Sequence, residues 1–213
     1  MARTNPWVTD FGVRPQQSDE ETRPPAGVVL APSYGADRPQ PTAVDPLHAG
    51  GLPVAEYPPD VWPPARASWW WAGCHGGAGV TTLLGATGSG RDSLRHWPLL
   101  SSGASSKVVL VARTHEAGLR AAQAAARQWA AGTLPPQVEL IGLVLTADAP
   151  GRLPRQLHDL ARLVAGGVPR TWEIGWHEEV RLGQPGHLAD GPAAEYHQLA
   201  ASLTSIITGG RDA

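Results

Sequence analysis

The chain is short of several residue types. Among 213 residues there is one cysteine, one methionine, one phenylalanine and, out of 17 basic residues, one lysine. Cys74 alone excludes an intramolecular disulfide, and a zinc site would need histidines and carboxylates at spacings the chain does not show. A reducing, cytoplasmic compartment fits. No apolar run approaches the roughly 18 residues of a membrane helix, and the N-terminus MARTNPWVTDFGVRPQQSDEE holds no signal-peptide core, so a soluble protein with no membrane span is expected. The net charge of -2 is too small to coat DNA or an anionic membrane, and direct nucleic-acid binding is not expected.

What the chain has in excess is glycine, 25 residues, and proline, 21 residues. Thirteen of the prolines fall in residues 1–67, which also carry eight acids against five arginines. Such a segment, with sparse apolar clustering, cannot offset its ordering entropy. Residues 1–67 are therefore expected to be a disordered Pro-rich tail and residues 68–213 a folded domain. Trp7, Phe11 and Trp62 are candidate anchors for a partner, although a solvated linker is the simpler reading of the tail.

From Ser68 onward short apolar runs alternate with helical stretches. Trp69–Ala72, Lys107–Ala112, Val138–Thr146 and Thr171–Gly175 have strand length and apolar content. Helical patterns cover His115–Ala131, Pro154–Val164 and Pro192–Ile207. Continuous apolar strands alternating with helices imply an α/β fold, a parallel sheet with helices on both faces in a Rossmann-like three-layer arrangement. In such sheets ligands bind beyond the carboxyl ends of the strands. That rule selects Gly73–Thr82, Arg113 and Thr114, Thr146–Asp148 and Gly175–Glu178 as crevice positions.

The first of these segments carries the chemistry. Cys74-His75-Gly76-Gly77-Ala78-Gly79-Val80-Thr81-Thr82 follows a strand and opens a helix, so successive backbone N–H groups can converge on a phosphate at a positive helix end. The segment resembles the deviant Walker A loop of the ParA/MinD-like P-loop ATPases (SIMIBI type). Gly76, Gly77, Gly79, Thr81 and Thr82 match that pattern; His75 and Val80 stand where the two lysines would be. The resemblance implies a P-loop NTPase-like domain, phosphate contacts from His75 through Thr82, ATP with magnesium as the cofactor pair, and Thr81 as a magnesium ligand. GC-rich coding explains arginine for lysine but not valine. Without an ammonium at position 80 the transferring phosphoryl group lacks its nearest cation, so binding is expected to outlast hydrolysis.

The similarity extends over roughly residues 68–208. Thr146 takes the place of a base-contacting Asn, and Gly175, Trp176 and His177 resemble the late strand and loop beside the adenine, with Arg113 and Asp148 as further crevice residues. Only residues 83–106 separate the loop from the next strand, and Asp92, the one acid there, has no apolar strand before it. A shortened, actinobacterial offshoot of the superfamily is implied: a pseudo-ATPase with a regulatory or assembly role, a protein partner and a possible homodimer. Two alternatives stay open. One is an interaction module that binds no nucleotide, and the other is a weak NTPase using Arg113 or Arg91 in place of the lysine. The Trp69–Trp71 triplet is expected to be core, and His75, His115 and His177 ordinary loop histidines ahead of a metal or general-base cluster. Cys74 beside a helix start is expected to be inert.

Overall fold

The computed structural model describes residues 42–43, 51–57, 69–182 and 193–209. In chain order the elements are β1 (Thr42–Ala43), β2 (Val54–Tyr57), β3 (Trp70–Gly73), α1 (Val80–Thr87), β4 (Arg91–Asp92), β5 (Trp97–Leu100), β6 (Ser106–Arg113), α2 (Glu116–Ala130), β7 (Val138–Thr146), α3 (Arg155–Ala165), β8 (Thr171–Ile174), α4 (Glu178–Arg181) and α5 (Ala193–Gly209). Five strands form one sheet in the order β4-β3-β6-β7-β8, and every neighbouring pair is parallel. The expected α/β architecture is present.

Period-two alternation divides the core between the two faces of this sheet. Trp70, Val108, Leu110 and Ala112 pack with Leu119, Ala122 and Ala125 of α2 and Ala161 and Val164 of α3. Trp69, Trp71, Val109 and Val111 pack with Leu83 of α1 and with Tyr196, Leu199, Leu203 and Ile207 of α5. The tryptophan triplet is therefore core on both sides, with Trp69 and Trp71 edge to face at 5.6 Å. In β7 the alternation slips once: Val108 opposes Leu140 and Val109 opposes Gly142, leaving Ile141 as an extra residue. This bulge returns Leu143 and Leu145 to the face of Leu140. A Cβ at Gly142 would lie 2.5 Å from the Arg170 carbonyl and 2.6 Å from the Trp172 ring, so the bulge excludes any side chain there.

Two expectations need correction. The tail placed over residues 1–67 contains a core strand. β2 pairs in parallel with β5 and antiparallel with β1 in a second, three-stranded sheet. Leu52, Val54, Ala55 and Tyr57 are buried on the α2 face. Gln128 of α2 fastens this layer: its Oε1 accepts from Leu52 N and Trp97 Nε1, and its Nε2 donates to the Leu52 carbonyl, each at 2.9 Å. Trp7, Phe11 and Trp62 lie outside the described residues. The second correction concerns residues 83–106, read as strandless. β4 and β5 both fall there, and β4 runs beside β3 with Trp71 opposite Asp92.

Candidate functional site

The chain leaves β3 through α1 toward β4 on one side of the sheet, and leaves β6 through α2 toward β7 on the other. The crevice between the carboxyl ends of β3 and β6 is thus a topological switch point, where open α/β sheets bind ligands. The glycine loop stands at one wall and Arg113 at the other. Gly79, the residue before α1, has φ +104°, a backbone angle that L side chains rarely adopt. Thr146 Oγ1 braces the loop by donating to the carbonyls of Ala78, 3.2 Å, and Ala112, 3.3 Å.

Two cavities share Gly79, Thr82 and Arg113. One, about 450 Å³, is lined by Gly76 to Thr82 together with His75, Asp92, Leu94, Arg95 and Arg113. The other, about 280 Å³, is lined by Thr146, Ile174, Gly175, Trp176, His177, Val180, Arg181 and Tyr196. The structure therefore places Ala78, Val80 and Thr81 on the first cavity and Thr146, Gly175, Trp176 and His177 on the second. Arg113 reaches over the loop, its Nε donating to the Gly77 carbonyl at 2.8 Å and its other end 3.8 Å from Asp148. Asp148 itself lines a third hollow, on the α3 side.

His75 has a different role from the phosphate contact expected of it. Its Nε2 accepts from the Arg113 backbone N–H at 3.1 Å, which leaves the ring proton on Nδ1, 2.8 Å from the Gly76 carbonyl. Both nitrogens are committed to backbone, and the ring ties the loop to the end of β6. Burial, assisted by the charges of His115, Arg113 and Arg95, holds its pKa below the ordinary histidine value. His115 caps α2, with Nδ1 accepting from Gly118 N at 3.0 Å. His177 faces Glu195, whose Oε2 lies 3.2 Å away and also accepts from Gly175 N. Among the described residues no group of three or more His, Cys, Asp or Glu could hold a metal ion. Cys74 is buried, and burial pushes its thiol up to about 12, which disfavours the thiolate.

Val80 turns back toward β3, its Cγ2 3.2 Å from where a Cβ on Gly73 would stand. Arg91, one of the two arginines offered as a substitute cation, places its guanidinium 5.6 Å from the Trp70 ring and lines neither loop cavity. Arg95, Arg181, Tyr196 and Glu195 were not singled out from the sequence. Nothing in local composition marks Arg95, because its position depends on a two-residue strand without an apolar pattern. Arg181 lies over the Trp176 ring at 5.5 Å, and Trp176 Nε1 donates to Glu178 at 2.9 Å.

A doubly wound α/β domain with a glycine loop at its switch point defines the class of protein. Residues 67–189 match the model described as Family of unknown function (DUF6668), and the chain belongs to that family. No curated protein and no solved structure matches it.

Proposed function

We propose that the chain is a degenerate P-loop protein of ParA/MinD-like type that binds a nucleotide or another multiply charged anion without efficient hydrolysis, and acts through a protein partner in the cytoplasm. One observation carries this reading: the glycine loop, the start of α1 and Arg113 line two cavities at the switch point that share Gly79, Thr82 and Arg113. The larger cavity accommodates phosphates beside backbone N–H groups. The smaller one offers Trp176 and Tyr196 to an aromatic group.

Magnesium fits only as a companion of phosphates. Thr81 and Asp92 bring a hydroxyl and a carboxylate to the same cavity, but one Asp92 oxygen already accepts from Leu94 N at 2.7 Å. Such a donor set suits an ion that keeps water and phosphate oxygens, and not one held by protein alone. With valine at position 80, fixed positive charge reaches the phosphates from neighbouring strands. That arrangement favours holding an anion over stabilising charge that develops only during transfer.

A second reading, an interaction module without nucleotide, draws support from the hollow of about 700 Å³ under α3, lined by Leu145, Leu153, Leu157, Ala161 and Ile174. Calorimetry of the full chain with ATP and magnesium separates the two. Heat at micromolar ligand, lost in a folded Gly79→Trp variant, supports nucleotide binding, and silence up to millimolar ATP overturns it. The full chain is required because Leu52, Val54, Ala55 and Tyr57 belong to the core. Phosphate release that rises in Val80→Lys from a measurable wild-type baseline would instead indicate a weak NTPase.

A further inference from the structure

Among the described residues every backbone position with positive φ is a glycine except two, Leu94 at φ 53° and Arg95 at φ 66°. They are consecutive. For residues with a side chain such conformations are unfavourable. Glycine holds the seven other positive-φ positions among the described residues, yet here the chain keeps a leucine and an arginine. The strained pair follows β4, where Ser93 N still donates to the Trp71 carbonyl before Asp92 Oδ1 turns the chain by accepting from Leu94 N. Both residues line the cavity beside the glycine loop.

The charges around that cavity are unequal. Arg95 and Arg113 line it from two different strand ends, against Asp92 as its one lining carboxylate. Arg113 is already drawn to the Gly77 carbonyl and toward Asp148. Arg95 is exposed and, among the described residues, has no ion-pair partner. Its charge acts on both Cys74 and His75 at the root of the loop.

We propose that Arg95, presented by left-handed backbone at the end of β4, is the cation that neutralises the phosphates of a polyphosphate ligand, taking over electrostatically from the residue that Val80 replaces. The proposal rests on the reading of the loop as an anion site and assigns its missing charge to one residue. The guanidinium is delivered from the strand beside the loop, opposite Arg113, so the two arginines flank the anion and Val80 is left to pack on β3. A fork of donors suits several phosphate oxygens better than a single ammonium does. The unfavourable backbone is the cost of placing that fork.

The test uses the strain itself. Titration of the full chain with inorganic tripolyphosphate and with ATP and magnesium is compared for wild type, Arg95→Gly and Arg95→Lys, and each protein is also unfolded with urea. Arg95→Gly removes the charge and relieves one left-handed position, so it is expected to unfold at higher urea than wild type while binding both probes at least tenfold more weakly. Arg95→Lys is expected to stay within a few-fold of wild type. Equal binding by Arg95→Gly and wild type overturns the assignment and leaves the anion site standing. A less stable Arg95→Gly also overturns it, because the side chain would then be retained for the fold. If wild type binds neither probe at millimolar concentration, the reading of the loop fails first.

Discussion

Tyr57 lies within the proline-rich third of the chain, where a solvated tail would make it dispensable. In the structure it is 3% exposed, its ring centroid lies 4.7 Å from that of Trp70, and its hydroxyl donates to the Ser93 carbonyl. Truncation to alanine removes a buried aromatic ring between two strand layers that cannot collapse without moving Trp70. Substitutions of this kind cost about 3–5 kcal/mol, a large share of the roughly 5–15 kcal/mol that keeps a domain folded. For a protein of this size the midpoint of thermal unfolding should drop by about 10 °C. Tyr57→Phe keeps the ring and removes one donor from the Ser93 carbonyl, which still accepts from His96 N at 3.1 Å, so its cost should be about 1 kcal/mol. Urea unfolding of the full chain, followed by circular dichroism, measures both variants. A loss below about 0.5 kcal/mol for Tyr57→Ala, the level of an ordinary surface substitution, would refute the placement of β2 in the core.

Two further predictions concern the titratable groups Cys74 and His75. Cys74, the sole thiol, should resist thiol reagents in the native protein and react only as fast as the chain unfolds. Because the folded thiol keeps its proton to about 12 while the unfolded one loses it near 9.0, stability should fall as pH rises through that interval. Rapid native-state labelling at pH 8 would refute its burial. His75 behaves in the opposite sense: its folded pKa lies below the ordinary 6.5, so the unfolded chain takes up the proton first. Its contribution is complete above about pH 6.5 and is lost as pH falls toward the lower folded value. Urea midpoints measured at pH 7.5 and 5.5 should therefore diverge more in wild type than in His75→Gln, and equal divergence would remove His75 as the cause.

The major sheet was legible in the sequence because β3, β6 and β7 are buried on both faces, and burial on both faces writes itself as a continuous apolar run. The same rule hid β2 and β5. Each is only four residues long, and the prolines beside or within them, Pro53 and Pro98, lower any average taken over a window. β5 tolerates Pro98 because it is the edge of its sheet and that residue's missing N–H costs no ladder bond. β4 has two residues and no apolar pattern, so nothing local could show that it carries Asp92 alongside β3. Glycine spacing located the loop, since its backbone demands are written directly in residue type. Of the charges around it, Arg113 was legible as a strand-end residue and Arg95 was not, because Arg95 comes to the cavity through a left-handed turn that its own side chain disfavours.

That last mismatch bears on the choice between a binding site and a vestigial loop. A loop that binds nothing gains nothing from a guanidinium beside it, and glycine at position 95 would relieve about 1 kcal/mol or more of backbone strain. Packing does not supply the missing reason, since Arg95 is exposed and has no ion-pair partner among the described residues. Leu94, its strained neighbour, is only partly buried and lines the same cavity. On the reading proposed above, these two consecutive unfavourable positions, both lining one cavity with the loop, are offset by the ligand when it binds. On that reading the ligand is an anion, because two arginines line the cavity against one carboxylate, Asp92.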